Sequence, residues 1–203
     1  SFTDVATEEE LFTAVRSGGG NVRLTDNITV ERGTLPINYT TEIDLNGHTL
    51  TFREPGMVSV ARYNNGGKEV MSTFPVGIAV NANFTLSDES KKGKIDVWGD
   101  NSTGIYVGPT GDLSMWGGTI TNSSVTIPDG SEETPKYTTS VGIFILRGKV
   151  SMTSGSRIEN ESQAGVMVCG GTFSMVGGRT VISGCGIQSG YGSYYYGGGV
   201  HVT

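Results

Sequence analysis

Apolar and polar residues alternate in short runs along the chain, and the runs recur at a fixed spacing. Residues 142–161 read GIFILRGKVSMTSGSRIENE, and residues 165–184 read GVMVCGGTFSMVGGRTVISG, 23 positions later. Each copy contains a Gly-apolar-any-apolar step, an apolar-Ser-Met step and a third short apolar step, separated by small-residue turns. A third copy begins at Gly104, a fourth at Gly77, and an incomplete one at Gly199. The chain is therefore built from repeats.

Three strand-like steps per repeat, separated by Gly, Asn and Ser turns, predict an all-β parallel β-helix. One coil cannot bury its apolar positions alone, so successive coils must stack, with strands about 4.8 Å apart. Alternation predicts which side chains face the core. These are Ile78, Val80, Ile105, Val107, Ile143, Ile145, Val166, Val168, Val200 and Val202 in the first step; Phe84, Leu86, Leu113, Met115, Val150, Met152, Phe173 and Met175 in the second; and Ile95, Val97, Ile120, Ile158 and either Val181 or Ile182 in the third.

A short helix is predicted before the coils. Thr7 and Glu10 form a capping box, Leu11, Ala14 and Val15 form an apolar stripe, and glycines 18–20 end it. We expect residues 8–17 to be a helical cap over the first coil, since an open end would expose strand edges and core side chains. Coils then fill residues 21–203 of a single domain.

Three loop insertions are predicted to interrupt the period, at residues 53–75, 122–140 and 184–198. The second and third each fall between a third step and the next first step, and the first precedes the first Gly-apolar coil. Stacking should bring them to one edge, and insertions gathered on one side of a repeat protein usually mark its binding face.

The outward positions of the first step are unusually apolar for a solvent face. They are Ala79, Tyr106, Phe144, Met167 and His201, and the insertions add Tyr63, Tyr137, Tyr191, Tyr194, Tyr195 and Tyr196. One interpretation is that the insertions fold back and cover this row as a satellite core. The other is an aromatic groove for sugar rings, because aromatic faces with hydroxyl groups suit ligands that are apolar on one side and polar at the rim.

Composition excludes several partners. A formal charge of -6 and a pI near 4.9 argue against nucleic acid, and no apolar run is long enough to predict a membrane span. Low charge and abundant Ser, Thr and Asn favour an extracellular setting. Cys169 and Cys185 could pair if their corners are close, or could remain as two half-buried thiols.

No catalytic, metal or cofactor site is predicted. A glycoside hydrolase needs two facing carboxyl groups. The candidates Asp96, Asp100, Asp129, Glu132, Glu133, Glu159 and Glu161 lie mostly on outward turns or in one insertion. The chain has no nucleophile with a neighbouring base, no phosphate-binding glycine loop that opens a helix, and no metal-spaced His/Cys cluster.

The run VATEEELFTAVRSGGGNVRLTDNITV, followed by EIDLNGHTLTF, resembles the entrance to right-handed parallel β-helix domains of the pectate-lyase-like superfamily, which are common in secreted and surface proteins of bacteria. The resemblance is close over about the first 52 residues and continues by pattern alone. It implies the fold and says little of activity. Family catalysis would require several carboxylates for Ca²⁺ on the outward first-step row, which has none.

We therefore expect a non-catalytic extracellular or cell-surface module that binds a polysaccharide or glycan. The expected ligand-binding residues are Tyr106, Phe144, Met167, His201, Tyr63, Tyr137, Tyr194, Tyr195 and Tyr196. The alternatives are a polysaccharide lyase or glycoside hydrolase, and a structural stalk in which the apolar row is fully covered. Because residues 200–203 begin a coil that does not finish, we expect a longer parent chain, with a further module or subunit over this end.

Overall fold

The structure is a computed structural model that describes residues 1–64, 66–125, 139–186 and 198–203. Within these ranges it contains one helix, α1 (Glu8–Arg16). In chain order the strands are β1 (Thr3–Val5), β2 (Gly20–Leu24), β3 (Ile28–Arg32), β4 (Leu35–Ile37), β5 (Thr41–Asp44), β6 (Thr49–Glu54), β7 (Gly56–Tyr63), β8 (Glu69–Val80), β9 (Asn83–Asp88), β10 (Lys94–Val97), β11 (Thr103–Val107), β12 (Asp112–Gly117), β13 (Thr119–Thr121), β14 (Val141–Leu146), β15 (Lys149–Met152), β16 (Arg157–Glu159), β17 (Ala164–Cys169), β18 (Thr172–Met175), β19 (Val181–Ser183) and β20 (Val200–Val202).

These strands form three parallel sheets, compatible with the predicted parallel β-helix. Sheet 1 contains the first steps in the order β4-β8-β11-β14-β17-β20, sheet 2 the second steps as β1-β2-β5-β9-β12-β15-β18, and sheet 3 the third steps as β3-β6-β10-β13-β16-β19. Every pairing within these sheets is parallel, whereas β7 pairs with β8 in antiparallel fashion. The repeat therefore corresponds to one strand in each sheet.

The interior is a continuous apolar core built from like residues stacked in register. Ile105 pairs with Ile78 on one side and Ile143 on the other, and Leu113 pairs with Phe84 and Val150. In sheet 3 the row reaches β19 through Ile182, which pairs with Ile158 and resolves the choice between Val181 and Ile182. Each coil thus completes the burial of its neighbour.

Burial falls away in the last described coil. Met175 pairs with Met152, yet it is 41% exposed, and Val200 and Val202 are 40% and 70% exposed. The prediction that these side chains are buried in the core is therefore wrong. The reason is that no described strand stacks on the far side of β18 or β20.

The helix begins at Glu8, as predicted, and ends at Arg16, one residue before the predicted end. Thr7 Oγ1 accepts a hydrogen bond from Glu10 N–H, and the Glu10 carboxylate accepts one from Ala6 N–H. Leu11 and Val15 are buried in the main core, and the helix contacts β1 to β4. No described helix is long and apolar enough to cross a membrane.

A row of glycines allows sheets 1 and 3 to approach closely. A Cβ atom on Gly142 would lie 2.6 Å from the Gly165 carbonyl oxygen and 2.6 Å from Ile158 Cγ2. Gly104 and Gly165 meet equivalent neighbours, and none of the three has a positive φ. The repeated glycine is therefore required by lack of space and not by backbone conformation.

Polar residues satisfy one another at the corner between sheets 3 and 1. Ser140 N–H donates to Ser162 Oγ, and Ser162 N–H donates to Ser140 Oγ. The Asn160 amide donates to Asn122 O, so these two asparagines connect successive coils at this corner.

Glu161 is the exception at this corner. It is only 1% exposed, and neither carboxylate oxygen has a hydrogen-bond partner among the described residues. Burial raises the pKa of Glu161 well above its usual range, and the nearby Asp96 carboxyl raises it further. The fold therefore favours the protonated, uncharged form of this carboxyl.

We expect Gly142→Ala to destabilise the protein by about 1–3 kcal/mol, because the added methyl group overpacks the contact between coils. Denaturant unfolding monitored by circular dichroism measures this. Gly178→Ala is the matched control, since a Cβ there meets nothing within 4 Å. Equal unfolding midpoints for the two variants would contradict the close-approach explanation.

We expect Glu161→Gln to flatten the dependence of stability on pH. Since the folded pKa is raised, the contribution of Glu161 is fully present below its ordinary pKa of 4.5 and declines as pH rises towards the folded value. Glutamine cannot ionise, so the variant should lose less stability between pH 5 and neutral pH than the wild type.

Melting temperatures across this pH range measure the effect. Glu159→Gln, which alters a partly exposed neighbour that pairs with Arg157, is the control and should keep the wild-type slope. A wild-type slope in Glu161→Gln would contradict a buried, uncharged carboxyl.

Candidate functional site

The outward side chains of sheet 1 form a second row, separate from the main core. In register, the row runs Pro36, Ala79, Tyr106, Phe144, Met167 and His201. Its first part belongs to a satellite apolar cluster that also contains Val60 and Leu146.

The insertion at residues 53–75 covers that first part, and it is not a loop. It forms most of the antiparallel hairpin β7–β8. Apolar residues alternate along both strands, so that Val58 and Val60 of one strand and Phe74 and Val76 of the other pack into the satellite cluster. The ring of Phe74 meets Tyr106 and Phe144 edge-on, at centroid distances of 6.2 and 5.4 Å. Each such pair adds about 0.5–1.5 kcal/mol beyond burial.

Pro36 is partly exposed at the start of the row, Ala79 to Phe144 are buried, and burial decreases again after Phe144. Tyr106 and Phe144 are buried at 5% and 8% exposure, whereas Met167 and His201 are half-buried. Burial raises the pKa of the Tyr106 hydroxyl, and nearby Arg147 lowers it by a smaller amount. The satellite-core interpretation therefore describes the part up to Phe144, and the row beyond it is more open.

A pocket of about 720 Å³ lies where the cover ends, between the hairpin and sheet 1. Such a volume is within the range of small-ligand sites. Its floor is mostly apolar and its rim polar. The lining residues are Arg62, Tyr63, Asn64, Ser72, Phe74, Asn101, Thr103, Thr139, Val141, Phe144, Leu146, Arg147, Gln163, Met167, Cys169, His201 and Thr203.

Four of the residues predicted as binding residues therefore lie together, namely Tyr63, Phe144, Met167 and His201. Tyr106 lies in the same row, packed under the hairpin, and does not line the pocket. The remaining predicted tyrosines, Tyr137, Tyr191, Tyr194, Tyr195 and Tyr196, fall outside the described residues.

Sequence reasoning missed the polar rim. Arg62 lies on the inward face of the hairpin beside Ser72, to whose hydroxyl its Nε donates. Arg147 follows β14 in a turn with φ of 62°, and its backbone N–H donates to the Cys169 and Gly170 carbonyls. The hairpin alternation could have identified Arg62, whereas the position of Arg147 depends on a left-handed residue that the repeat does not predict.

The described acidic candidates do not gather at this pocket. Asp96 accepts hydrogen bonds from Ser123 N–H and Oγ at 2.8 and 2.6 Å, Glu159 pairs with Arg157, and Glu161 is buried at the corner. None of the described lining residues is Asp or Glu. Among the described residues, no group of three or more His, Cys, Asp or Glu could hold a metal ion. Asp129, Glu132 and Glu133 lie outside the described ranges.

The two cysteines are free thiols in different environments. Cys169 lines the pocket with its Sγ 2.9 Å from Thr203 Oγ1, whereas Cys185 packs against the main core. Burial raises the pKa of the Cys185 thiol to about 11, with smaller opposing contributions from its neighbours. The thiolate, which is the reactive form, is therefore scarce at Cys185.

We expect iodoacetamide to modify Cys169 faster than Cys185 in the native protein at pH 8. Mass spectrometry of labelled peptides over time measures the two rates. Cys169→Ser should remove the fast phase and Cys185→Ser should keep it. Faster labelling of Cys185 would contradict the described burial of that corner.

The chain matches no protein-family model, no curated protein and no solved structure. Any function assigned to the pocket therefore rests on the residues and geometry described above.

Proposed function

We propose that this chain is a non-catalytic, extracellular module that binds a polysaccharide or glycan in the pocket between the β7–β8 hairpin and sheet 1. We further propose that the three-sheet solenoid is a right-handed β-helix of the pectate-lyase-like type, exposed on or secreted from a bacterial cell. The N-terminal run 5–30 and the Gly-apolar repeat support the assignment to this fold type.

The chemistry of the pocket supports a sugar ligand. A pyranose ring has an apolar face of C–H groups and a rim of hydroxyls. Phe144, Leu146 and Met167 offer an apolar floor, and Tyr63 and Gln163 offer hydroxyl and amide groups that can donate and accept hydrogen bonds. The apolar face of the sugar would pack on the apolar side chains, and its hydroxyl groups would form hydrogen bonds with the polar ones.

The observation that carries the proposal is the change in cover along one row of outward side chains. A purely structural stalk does not explain why this apolar row is covered by a hairpin at Tyr106 and lines an open pocket at Met167. Burial of the first part fixes the hairpin in place, and the open part provides a pre-formed surface, which lowers the entropy lost on binding.

We expect Met167→Ala and Tyr63→Ala each to weaken glycan binding about tenfold, since each removes contact area worth roughly 1–1.5 kcal/mol. A glycan array would first select a ligand, and titration calorimetry would then give its Kd for each variant. Both side chains are at least partly exposed, so the fold should survive.

Trp116→Ala is the matched control. Trp116 is an exposed aromatic residue on sheet 2, away from the pocket. Its removal should leave Kd unchanged. Loss of binding in Trp116→Ala with full binding in Met167→Ala would place the site elsewhere and overturn the proposal.

A further inference from the structure

The arginines of the coils fall into two groups. Four of them lie within ion-pair distance of a carboxylate: Arg23 with Asp44 at 3.0 Å, Arg32 with Glu54 at 2.8 Å, Arg53 with Glu31 at 3.6 Å and Arg157 with Glu159 at 3.9 Å. Arg62, Arg147 and Arg179 have no such partner among the described residues, and of these three Arg62 and Arg147 line the pocket. The positive charge at this site is therefore not neutralised by a described side chain.

The two guanidinium groups approach the pocket from different elements. Arg62 belongs to β7, where its Nε is held by the Ser72 hydroxyl and its two terminal NH₂ groups stay available. Arg147 belongs to the turn after β14, and its backbone is held by the carbonyls of the next coil. The hairpin therefore positions the guanidinium group of Arg62 at the pocket, and the turn after β14 positions that of Arg147.

The charge of the pocket is opposite to that of the chain. The whole chain carries a formal charge of -6, with 20 Asp and Glu against 14 Lys and Arg. The described lining nevertheless contains two arginines and neither of the acidic residue types. A guanidinium group binds oxyanions through paired N–H donors, and such charge-assisted bonds are about twice as strong as neutral ones.

We propose that the glycan bound by this pocket carries an oxyanion, either a carboxylate or a sulfate ester, which Arg62 and Arg147 hold while the sugar ring packs on Phe144 and Met167. This inference rests on the proposed function and adds the charge of the ligand to it. Recognition of the charge comes from guanidinium groups of the chain.

Matched pairs of probes separate charge from sugar structure. A hyaluronan oligosaccharide and its methyl ester differ only in the uronate charge, and a sulfated dextran oligosaccharide and its unsulfated parent differ only in sulfate. The charged member should bind at least about tenfold more tightly, because a hydrogen bond to a charged group is stronger than one between neutral groups. Comparing the two pairs distinguishes carboxylate from sulfate.

Arg62→Gln and Arg147→Gln should each weaken binding of the charged probe about tenfold and leave the neutral probe unchanged. Arg32→Gln is the control, since this exposed arginine pairs with Glu54 on sheet 3, away from the pocket. Binding of the charged probe should also weaken between 50 and 500 mM NaCl, because salt screens exposed charges. Titration calorimetry gives each Kd, and protection of Cys169 from iodoacetamide reports occupancy of this pocket.

The two proposals fail differently. If neutral and charged probes bind equally and protect Cys169 equally in wild type and both arginine variants, the oxyanion inference is overturned and glycan binding stands. If no probe binds or protects Cys169, and a glycan array is also negative, the proposed function fails and the inference fails with it.

Discussion

Stacking of coils in strict register is the constraint from which the other features of this structure follow. Because each residue pairs with its equivalent in the next coil, an apolar residue that recurs at the same position of every repeat forms a continuous row across the sheet. Inside, the rows of Ile, Val and Leu form the core. Outside, the same rule aligns Ala79, Tyr106, Phe144, Met167 and His201 along one face of sheet 1.

An outward apolar row is a liability unless something covers it, and the hairpin supplies the cover for part of its length. Antiparallel pairing of β7 with β8 satisfies the backbone of the insertion while its inward side chains pack on Tyr106 and Phe144. Beyond Phe144 the cover ends and the pocket begins. The site is thus the boundary between a packed and an open part of one surface.

The sequence predicts the sheets well because their signal is periodic. The row from Ile78 to Val200 and the register of Leu113 with Val150 follow from alternation alone. The identity of the third-step residue in β19 did not follow, since Val181 and Ile182 are equally apolar and only pairing with Ile158 decides between them.

The site was less predictable because its parts come from outside the repeat. Phe144, Met167 and His201 occupy equivalent positions in successive coils, and they line the pocket together with the predicted Tyr63. Their role in binding stays a prediction. The hairpin form of residues 53–75 was missed, although Val58, Val60 and Phe74 alternate like strand residues. Arg147 could not be placed, because its orientation depends on a single left-handed turn and on the carbonyls of the next coil.

A crystal structure with a bound oligosaccharide would locate the ligand on the protein. We expect density for a sugar ring over Met167 and Phe144, between the hairpin and β17, with an anionic substituent near Arg62 and Arg147. Density for the ligand on sheet 2 or sheet 3, with this pocket occupied by solvent alone, would contradict this expectation.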